Sequence, residues 1–500
     1  MLKKKLELRL YQEELLDKAL KNNSLIVVPT GLGKTFIALG LSIIKREIGK
    51  IVFMAPTRPL VEQHKKLFDE YANFKSVIVT GLIPPKERKK VYENANTIFC
   101  TPQTIENDVI SGRINLKNVA LMIFDEAHRA IGDYAYVFLA KQYSRLNPEG
   151  HILAMTASPG KDKERVKIVC ENLNLKKIHV KSVDSLTVKP YVKEKKVIPL
   201  FVELPTEMKK IKHDLEQVKT LTLNTLKNKG LITNKSYVSK KKLLDLQKEL
   251  RNISSTGNAD YTTYSSIKEV SAAFKTLHAL ELIETKGVQP LVNYMKKIEK
   301  EKNKTKSSAL LFNNPNFYDA YRKALETSEE HPKINVLTNL VKKQVLKKNK
   351  IIIFTKLRDN SKNISKKLNK IKNVKSEEFL GQKDGITQKK QLETLQKFKD
   401  GKINVLVATQ VINEGLHVSD ADVGIFFEPS PSAIQTIQRK GRIGRTRIGK
   451  IYVLITKGCL DEKYYWAGKQ NEKKMKKTLS EMSETEKQTS LTRILYPAKQ

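Results

Sequence analysis

Three short stretches of this chain hold residues whose types and spacing suit chemistry on a phosphate. The first is Pro29-Thr30-Gly31-Leu32-Gly33-Lys34-Thr35, which follows the apolar run Leu25–Val28 and precedes the helical pattern Phe36–Ile44. Glycines let backbone N–H groups turn toward phosphate oxygens at a helix N-terminus, where the helix dipole also favours an anion. Lys34 can reach the β and γ phosphates, and the Thr35 hydroxyl can ligate Mg²⁺. The strict G-x-x-x-x-G-K-[ST] pattern asks for glycine where this chain has Val28. The plainer alternative is a glycine-rich strand–helix turn with an exposed lysine. The second stretch is Phe124-Asp125-Glu126-Ala127-His128, at the end of an apolar run. Asp125 is suited to hold Mg²⁺ and Glu126 to orient and deprotonate an attacking water. By itself an Asp-Glu pair after a strand is equally a solvated helix start. The third, Gln438-Arg439-Lys440-Gly441-Arg442-Ile443-Gly444-Arg445, sets Gln438, Arg442 and Arg445 roughly on one helical face. Guanidiniums with no local carboxylate suit an approaching anion, either a transferring phosphoryl across a domain interface or a nucleic-acid backbone.

The elements that must position these groups follow from hydrophobic periodicity. Residues 24–28, 51–55, 77–80, 97–100, 121–124 and 151–155 read as buried strands alternating with helical patterns. Such alternation predicts parallel strands joined by crossover helices, with both faces of the sheet covered. A second series, at 351–355, 377–380, 405–409, 424–427 and 451–456, predicts a second sheet. Between them the pattern turns helical and lysine-rich. Ile267, Val270, Phe274, Leu277, Leu280 and Ile283 fall at helical spacing and predict one amphipathic helix with a single buried face. The expected organisation is therefore α/β: a first sheet domain over 1–204, a helical insertion over 205–330, a second sheet domain over 331–470 and a basic polar tail over 471–500. In parallel sheets ligands bind at the carboxyl edge, which puts Asp125 and Glu126 on the same edge as the loop around Lys34.

The 93 Lys+Arg residues outnumber the 53 Asp+Glu, a formal charge of +40 that attracts polyanions and makes nucleic acid the leading partner. A general lysine bias of composition would give the same imbalance. Cys100, Cys170 and Cys459 are far apart, so a disulfide framework and a four-cysteine zinc site are both excluded. No stretch reaches the ~18 apolar residues of a membrane span, and the amino end lacks the apolar core of a secretion signal. The expectation is a cytoplasmic protein with no membrane partner.

Together, these stretches in this order resemble the superfamily 2 helicases of the DEAH-box type. Further segments resemble that superfamily's other motifs: Ala55-Pro56-Thr57-Arg58-Pro59-Leu60, Thr101-Pro102-Gln103-Thr104, Thr156-Ala157-Ser158, Ile353-Phe354-Thr355, and Ala408-Thr409 through Glu414-Gly415-Leu416. Arg9-Leu10-Tyr11-Gln12 is similar to its adenine-reading segment. A narrower resemblance, to the archaeal Hef helicases and the Fanconi anaemia group M family, rests on TPQTIENDVISGRI, FDEAHRAIGDYAYVF, TASPG and EPSPSAIQTIQRKGRIGR together with the helical insertion. It implies two RecA-like domains flanking a thumb-like insertion that grips branched duplex DNA. It also implies ATP and Mg²⁺ held through Gln12, Pro29, Thr30, Gly31, Leu32, Gly33, Lys34, Thr35 and Asp125. Hydrolysis would then use Glu126 and, on domain closure, Gln438, Arg442 and Arg445. By the same resemblance Arg58, Thr101, Thr355 and Thr409 hold successive phosphates of one strand, while His128, Thr156 and Ser158 couple the two events. His417 stands where that family usually has aspartate, which leaves one nucleotide contact open. The chain stops about fifty residues after Arg445, so the expectation is the helicase part alone, without an XPF-type nuclease.

The function so implied is an ATP-dependent DNA helicase or translocase acting on forked or branched DNA in replication-fork repair. Its setting would be prokaryotic, archaeal and nucleoid-associated, with a separate nuclease or a sliding clamp as candidate protein partners. Two alternatives stand beside it: an RNA-directed ATPase of the RIG-I or Dicer-like group, and an inactive nucleic-acid-binding scaffold. Intact Lys34, Asp125, Glu126, Arg442 and Arg445 speak against the scaffold.

Overall fold

In a computed structural model of the protein, residues 3–29, 31–157, 163–182, 185–191, 196–234, 238–255, 260–356, 358–380, 388–409, 421–429, 449–471, 473–474, 477–478 and 481 are described. The first sheet has seven strands: β1 (Ser24–Val27), β2 (Lys50–Met54), β3 (Ser76–Val79), β4 (Thr97–Cys100), β5 (Val119–Asp125), β6 (His151–Thr156) and β7 (Lys177–Val180). They pair in the order β3-β4-β2-β5-β6-β1-β7, every pair parallel. Because helices cover both faces, the strands are apolar at nearly every position rather than at every second one. Leu25, Val27, Val52, Met54, Met122 and Phe124 enter the core on one face. Their neighbours Ile26, Val28, Ile51, Phe53, Leu121 and Ile123 enter the core on the other.

The second sheet has six parallel strands: β8 (Lys196–Val202), β9 (Ile351–Phe354), β10 (Ser376–Phe379), β11 (Val405–Ala408), β12 (Val423–Phe426) and β13 (Lys450–Thr456), in the order β10-β11-β9-β12-β13-β8. Periodicity missed β7 and β8. β8 also moves the edge of the first domain. Residues 196–202, placed by the sequence within the first domain, pair residue for residue with 450–456 of the second sheet. That partner lies some 250 positions away, so nothing local in Lys-Val-Ile-Pro-Leu-Phe-Val could reveal it. As an edge strand, β8 tolerates Pro199, which has no N–H to offer a further neighbour.

Between β8 and the helix Pro332–Leu346 that leads into β9 lie six helices, Thr206–Asn228, Lys240–Ser255, Tyr261–Thr285, Val288–Lys300, Lys306–Phe312 and Pro315–Glu326, with no strand among the described residues. The helix Tyr261–Thr285 is central, not one-faced as its spacing predicts. Val270 and Ala273 pack with Leu223, Leu226 and Leu243 in one small core, and Ile267, Phe274 and Leu277 are half-buried against it. Ala272, Ala279, Leu282 and Ile283 pack in a second core with Met208, Leu291 and Phe317. Small residues, Ala272, Ala273 and Ala279, carry the added contacts, and a search for large apolar residues passes over them.

This bundle is joined to the end of the second sheet by polar contacts. Lys212 Nζ donates to the Gly458 carbonyl at 2.5 Å and lies 3.3 Å from Glu284, whose other carboxylate oxygen accepts from Leu460 N at 2.9 Å. His331 Nε2 lies 3.0 Å from the Glu284 carbonyl oxygen, which can only accept, so this nitrogen donates. Lys333 and Asp461 form an ion pair with both side chains fully buried, and Lys333 Nζ also donates to the Phe427 carbonyl at 3.1 Å.

Candidate active site

The carboxyl edge of the first sheet collects in one row most of the residues singled out above. From β4 to β1 it presents Thr101, Arg58, Asp125 with Glu126, Thr156, and the loop before Lys34, each at or just beyond a strand end. Asp125 pairs in register with Met155, and Thr156 with Val27. The carboxylate strand is thus two strand spacings, ~10 Å, from the strand that feeds the loop, and β6 with Thr156 lies between them.

The loop has the shape its glycines predict. Gly31 and Gly33 both lie in the left-handed region, at φ +87° and +71°. A Cβ on Gly33 would stand 2.6 Å from Gln12 Nε2. Gly33 caps the helix Lys34–Lys45, whose first turn contains no acidic residue. The opening N–H groups of that helix lack intrahelical acceptors and form the positive end of its dipole. Lys34 Nζ donates to the Val28 carbonyl at 3.0 Å, which folds the side chain back over the loop. Gln12 is buried and donates to the carbonyls of Leu32 (3.1 Å) and Gly33 (3.3 Å), while its Oε1 accepts from Arg9 N at 2.9 Å. The Tyr11 hydroxyl also donates to Leu32 O, at 2.5 Å. Gln12 therefore holds the loop's shape, a role its resemblance to an adenine reader does not convey. A cradle of backbone N–H groups, an ammonium and the Thr35 hydroxyl fits a Mg²⁺-bound polyphosphate. The ion would take Thr35 and Asp125 from the protein and its remaining ligands from phosphate and water.

The two adjacent carboxylates differ in surroundings. Asp125 is buried, and His64 Nε2 lies 3.0 Å from its Oδ2. Its backbone carbonyl accepts from the Tyr136 hydroxyl at 2.7 Å, which fixes the strand end. Burial pushes the Tyr136 phenol well above its ordinary range, with Tyr134, Asp125 and Cys100 adding to the effect, so it stays a neutral donor. Glu126 takes φ +50°, a left-handed conformation uncommon outside glycine, and this turns its side chain off the line of the strand. Glu126 lies 3.4 Å from His128 Nδ1, and that nitrogen is 3.1 Å from Thr156 Oγ1. The contact chain Glu126–His128–Thr156 thus runs from β5 to β6.

Among the residues assigned to phosphates of a bound strand, Arg58 begins the helix Arg58–Tyr71 and is held by Glu62 at 2.6 Å. Thr101 Oγ1 lies 2.8 Å from Thr104 Oγ1. Thr355 and Thr409 are buried, the Thr355 hydroxyl against Ser361 at 2.9 Å. Their backbone N–H groups donate to Ala408 and Phe379 carbonyls. Those backbone contacts lie within the second sheet. Thr30, Ser158, Gln438, Arg442, Arg445 and His417 lie outside the described residues.

Sequence reasoning passed over two residues. His64 occupies the buried stripe Leu60, Val61, His64, Phe68 of its helix, and a histidine in an apolar stripe was the available signal. Glu428 follows β12, fully enclosed, and accepts from Lys356 N (2.9 Å) and Asn360 Nδ2 (2.8 Å). Burial raises its carboxyl pKa, and no spacing rule marks it.

A phosphate cradle and a paired carboxylate on one sheet edge, with a second parallel sheet downstream, define a motor-type nucleoside triphosphatase of the helicase class. Three family descriptions match in succession: "DEAD/DEAH box helicase" over 9–166, "Putative ATP-dependent RNA helicase, helical bundle" over 207–331 and "Helicase conserved C-terminal domain" over 332–447. The crystal structure of the Pyrococcus furiosus Hef helicase domain superposes with a TM-score of 0.74 at 38% identity, covering 92% of this chain and 98% of that one. A Methanocaldococcus jannaschii protein named "Putative ATP-dependent RNA helicase MJ1505" is 39% identical over 96% of this chain and 61% of its own length. The ATP-dependent DNA helicase mph1 of Sclerotinia sclerotiorum is 32% identical over 98% of this chain and 43% of its own length. This chain belongs to the Hef family of superfamily 2 helicases. It spans less than two thirds of the length of those two relatives, and what it shares with them is the helicase part. No helix among the described residues is long and apolar enough to cross a membrane.

Proposed function

We propose that the protein is an ATP-dependent DNA helicase or translocase that acts on forked or branched DNA. The observation that carries the reading is the single sheet edge. Nucleic-acid-side segments at Arg58 and Thr101 and the phosphate loop at Lys34 flank one pair of carboxylates, which suits hydrolysis coupled to movement on a strand. Lys34 and the N–H groups opening its helix hold the polyphosphate; Gln12 keeps the loop in shape. Bound Mg²⁺ would neutralise charge on the phosphate oxygens. Glu126 orients and deprotonates the attacking water, and His128 passes its position to Thr156. The second domain would supply Gln438, Arg442 and Arg445 on closure, an assignment that rests on their order in the sequence. Grip through phosphates is independent of base sequence and weakens steeply with salt. A fork-binding role for the insertion is supported by its lysines and by Tyr261 and Tyr264, 86% and 55% exposed on the first turn of the central helix.

The second reading, an RNA-directed ATPase, is favoured by the words RNA helicase in the description matching the insertion and in the name of the M. jannaschii relative. One experiment separates the two: ATPase rate titrated with forked DNA, linear DNA and double-stranded RNA. Forked DNA is expected to stimulate at the lowest concentration. Stimulation by RNA alone would select the second reading, and unchanged hydrolysis in Lys34→Ala would defeat both.

A further inference from the structure

The contact between His64 and Asp125 is not needed to build the phosphate cradle, yet it is buried and specific. Only 5% of the His64 side chain and 9% of that of Asp125 is exposed. A carboxylate can only accept, so His64 donates through Nε2. In the neutral ring Nδ1 is then an acceptor, and among the described residues it has no partner. The ring packs on Phe53, centroids 4.6 Å apart, beside Phe68 and Phe99. An apolar side chain would serve such packing better, because a buried polar atom left unpaired is destabilising. Apolar packing therefore does not account for histidine here, and the bond to Asp125 is what distinguishes it from leucine or phenylalanine.

The position of His64 suggests what the bond does. Its helix starts at Arg58, pinned by Glu62, and six residues at 1.5 Å each put His64 about 9 Å further along the same rigid rod. The helix follows β2, and β2 is the direct neighbour of β5. One continuous element therefore has at one end the group assigned to a DNA phosphate, and further along a hydrogen bond to the carboxylate assigned to Mg²⁺.

We propose that His64 is a positioning residue through which strand binding at Arg58 sets the orientation of the Asp125 carboxylate, so that DNA occupancy and Mg²⁺–nucleotide affinity are linked. The inference rests on the proposed function. Linkage is reciprocal, and couplings between sites typically change affinity about 5–150-fold. The test uses the full chain and reads binding, not turnover. A fluorescent ADP analogue is titrated with Mg²⁺, with and without a saturating forked oligonucleotide. In the wild type the oligonucleotide should lower the half-saturating Mg²⁺ concentration at least about fivefold. In His64→Phe this shift should shrink below about twofold, and thermal stability should fall because the buried Asp125 carboxylate loses its donor. In His64→Gln, whose amide can still donate, most of the shift should remain. A shift of wild-type size in His64→Phe overturns the inference alone, and equal loss in both variants does the same. A wild-type protein whose Mg²⁺ requirement ignores the oligonucleotide overturns this inference alone, whereas ATPase that forked DNA fails to stimulate overturns the proposed function and this inference with it.

Discussion

Lys333→Met removes an ammonium from a site where both partners of an ion pair are fully enclosed. Methionine follows the lysine stem closely in volume, so the change is electrostatic rather than a cavity. Asp461 keeps the Thr456 hydroxyl at 2.9 Å on Oδ2, but Oδ1 has no hydrogen-bond partner among the described residues. The Phe427 carbonyl loses its donor as well. Breaking one side of such a pair costs about 3–5 kcal/mol, because the remaining charge stays buried and uncompensated. The double variant Lys333→Met/Asp461→Leu removes both charges and should recover most of that loss. The chain's single tryptophan, Trp466, lies five residues beyond Asp461, packed on Tyr465. Urea unfolding followed by tryptophan emission therefore reports on this half of the molecule and is blind to the first domain. At about 1–3 kcal/mol per molar urea, the single variant should lower the midpoint by about 1–5 M. A shift under about 0.3 M, or a double variant no better than the single, would refute the reasoning.

Glu126→Gln should keep nucleotide binding within about twofold and reduce turnover about 10²–10⁴-fold, the usual worth of a general base, as measured by fluorescent-nucleotide titration beside steady-state ATPase. His331 is held down to about 4 by burial, with the Lys333 charge adding to it. The unfolded ring takes its proton near pH 6.5 and the folded one only near 4, so its contribution is complete above pH 7 and falls as the solution is acidified. Between pH 7 and 5 wild type should lose about 2 kcal/mol more than His331→Gln, read from urea midpoints at each pH. Tyr261→Ser and Tyr264→Ser should each weaken fork binding by about 1–3 kcal/mol if the rings stack on bases, and leave it unchanged if they are merely exposed; fluorescence anisotropy decides. Point changes are better here than excision of residues 210–325. Excision would remove the partners of Cys459, Leu460 and Leu204 and unsettle the second sheet.

The loop at Gly31–Thr35, the Asp125–Glu126 pair, both series of strands and the helical character of the insertion were legible without a structure. Each is a local rule: a glycine forced by φ, an apolar run of strand length, a charge at a strand end. Where a neighbour distant in sequence decides, the reading failed. β8 is a strand of the second sheet only because β13 offers it an edge. The helix Tyr261–Thr285 is buried on two sides because its alanines admit close neighbours.

Residue types and order thus determined which groups are available for phosphate chemistry and which sheet carries them. Tertiary structure alone decided which of those groups meet. Asp125 and His64 are sixty-one positions apart and come within hydrogen-bond reach only because β2 and β5 are neighbours. Strand order is set by the packing of whole crossover units on both sheet faces, a long-range property that no window along the chain contains.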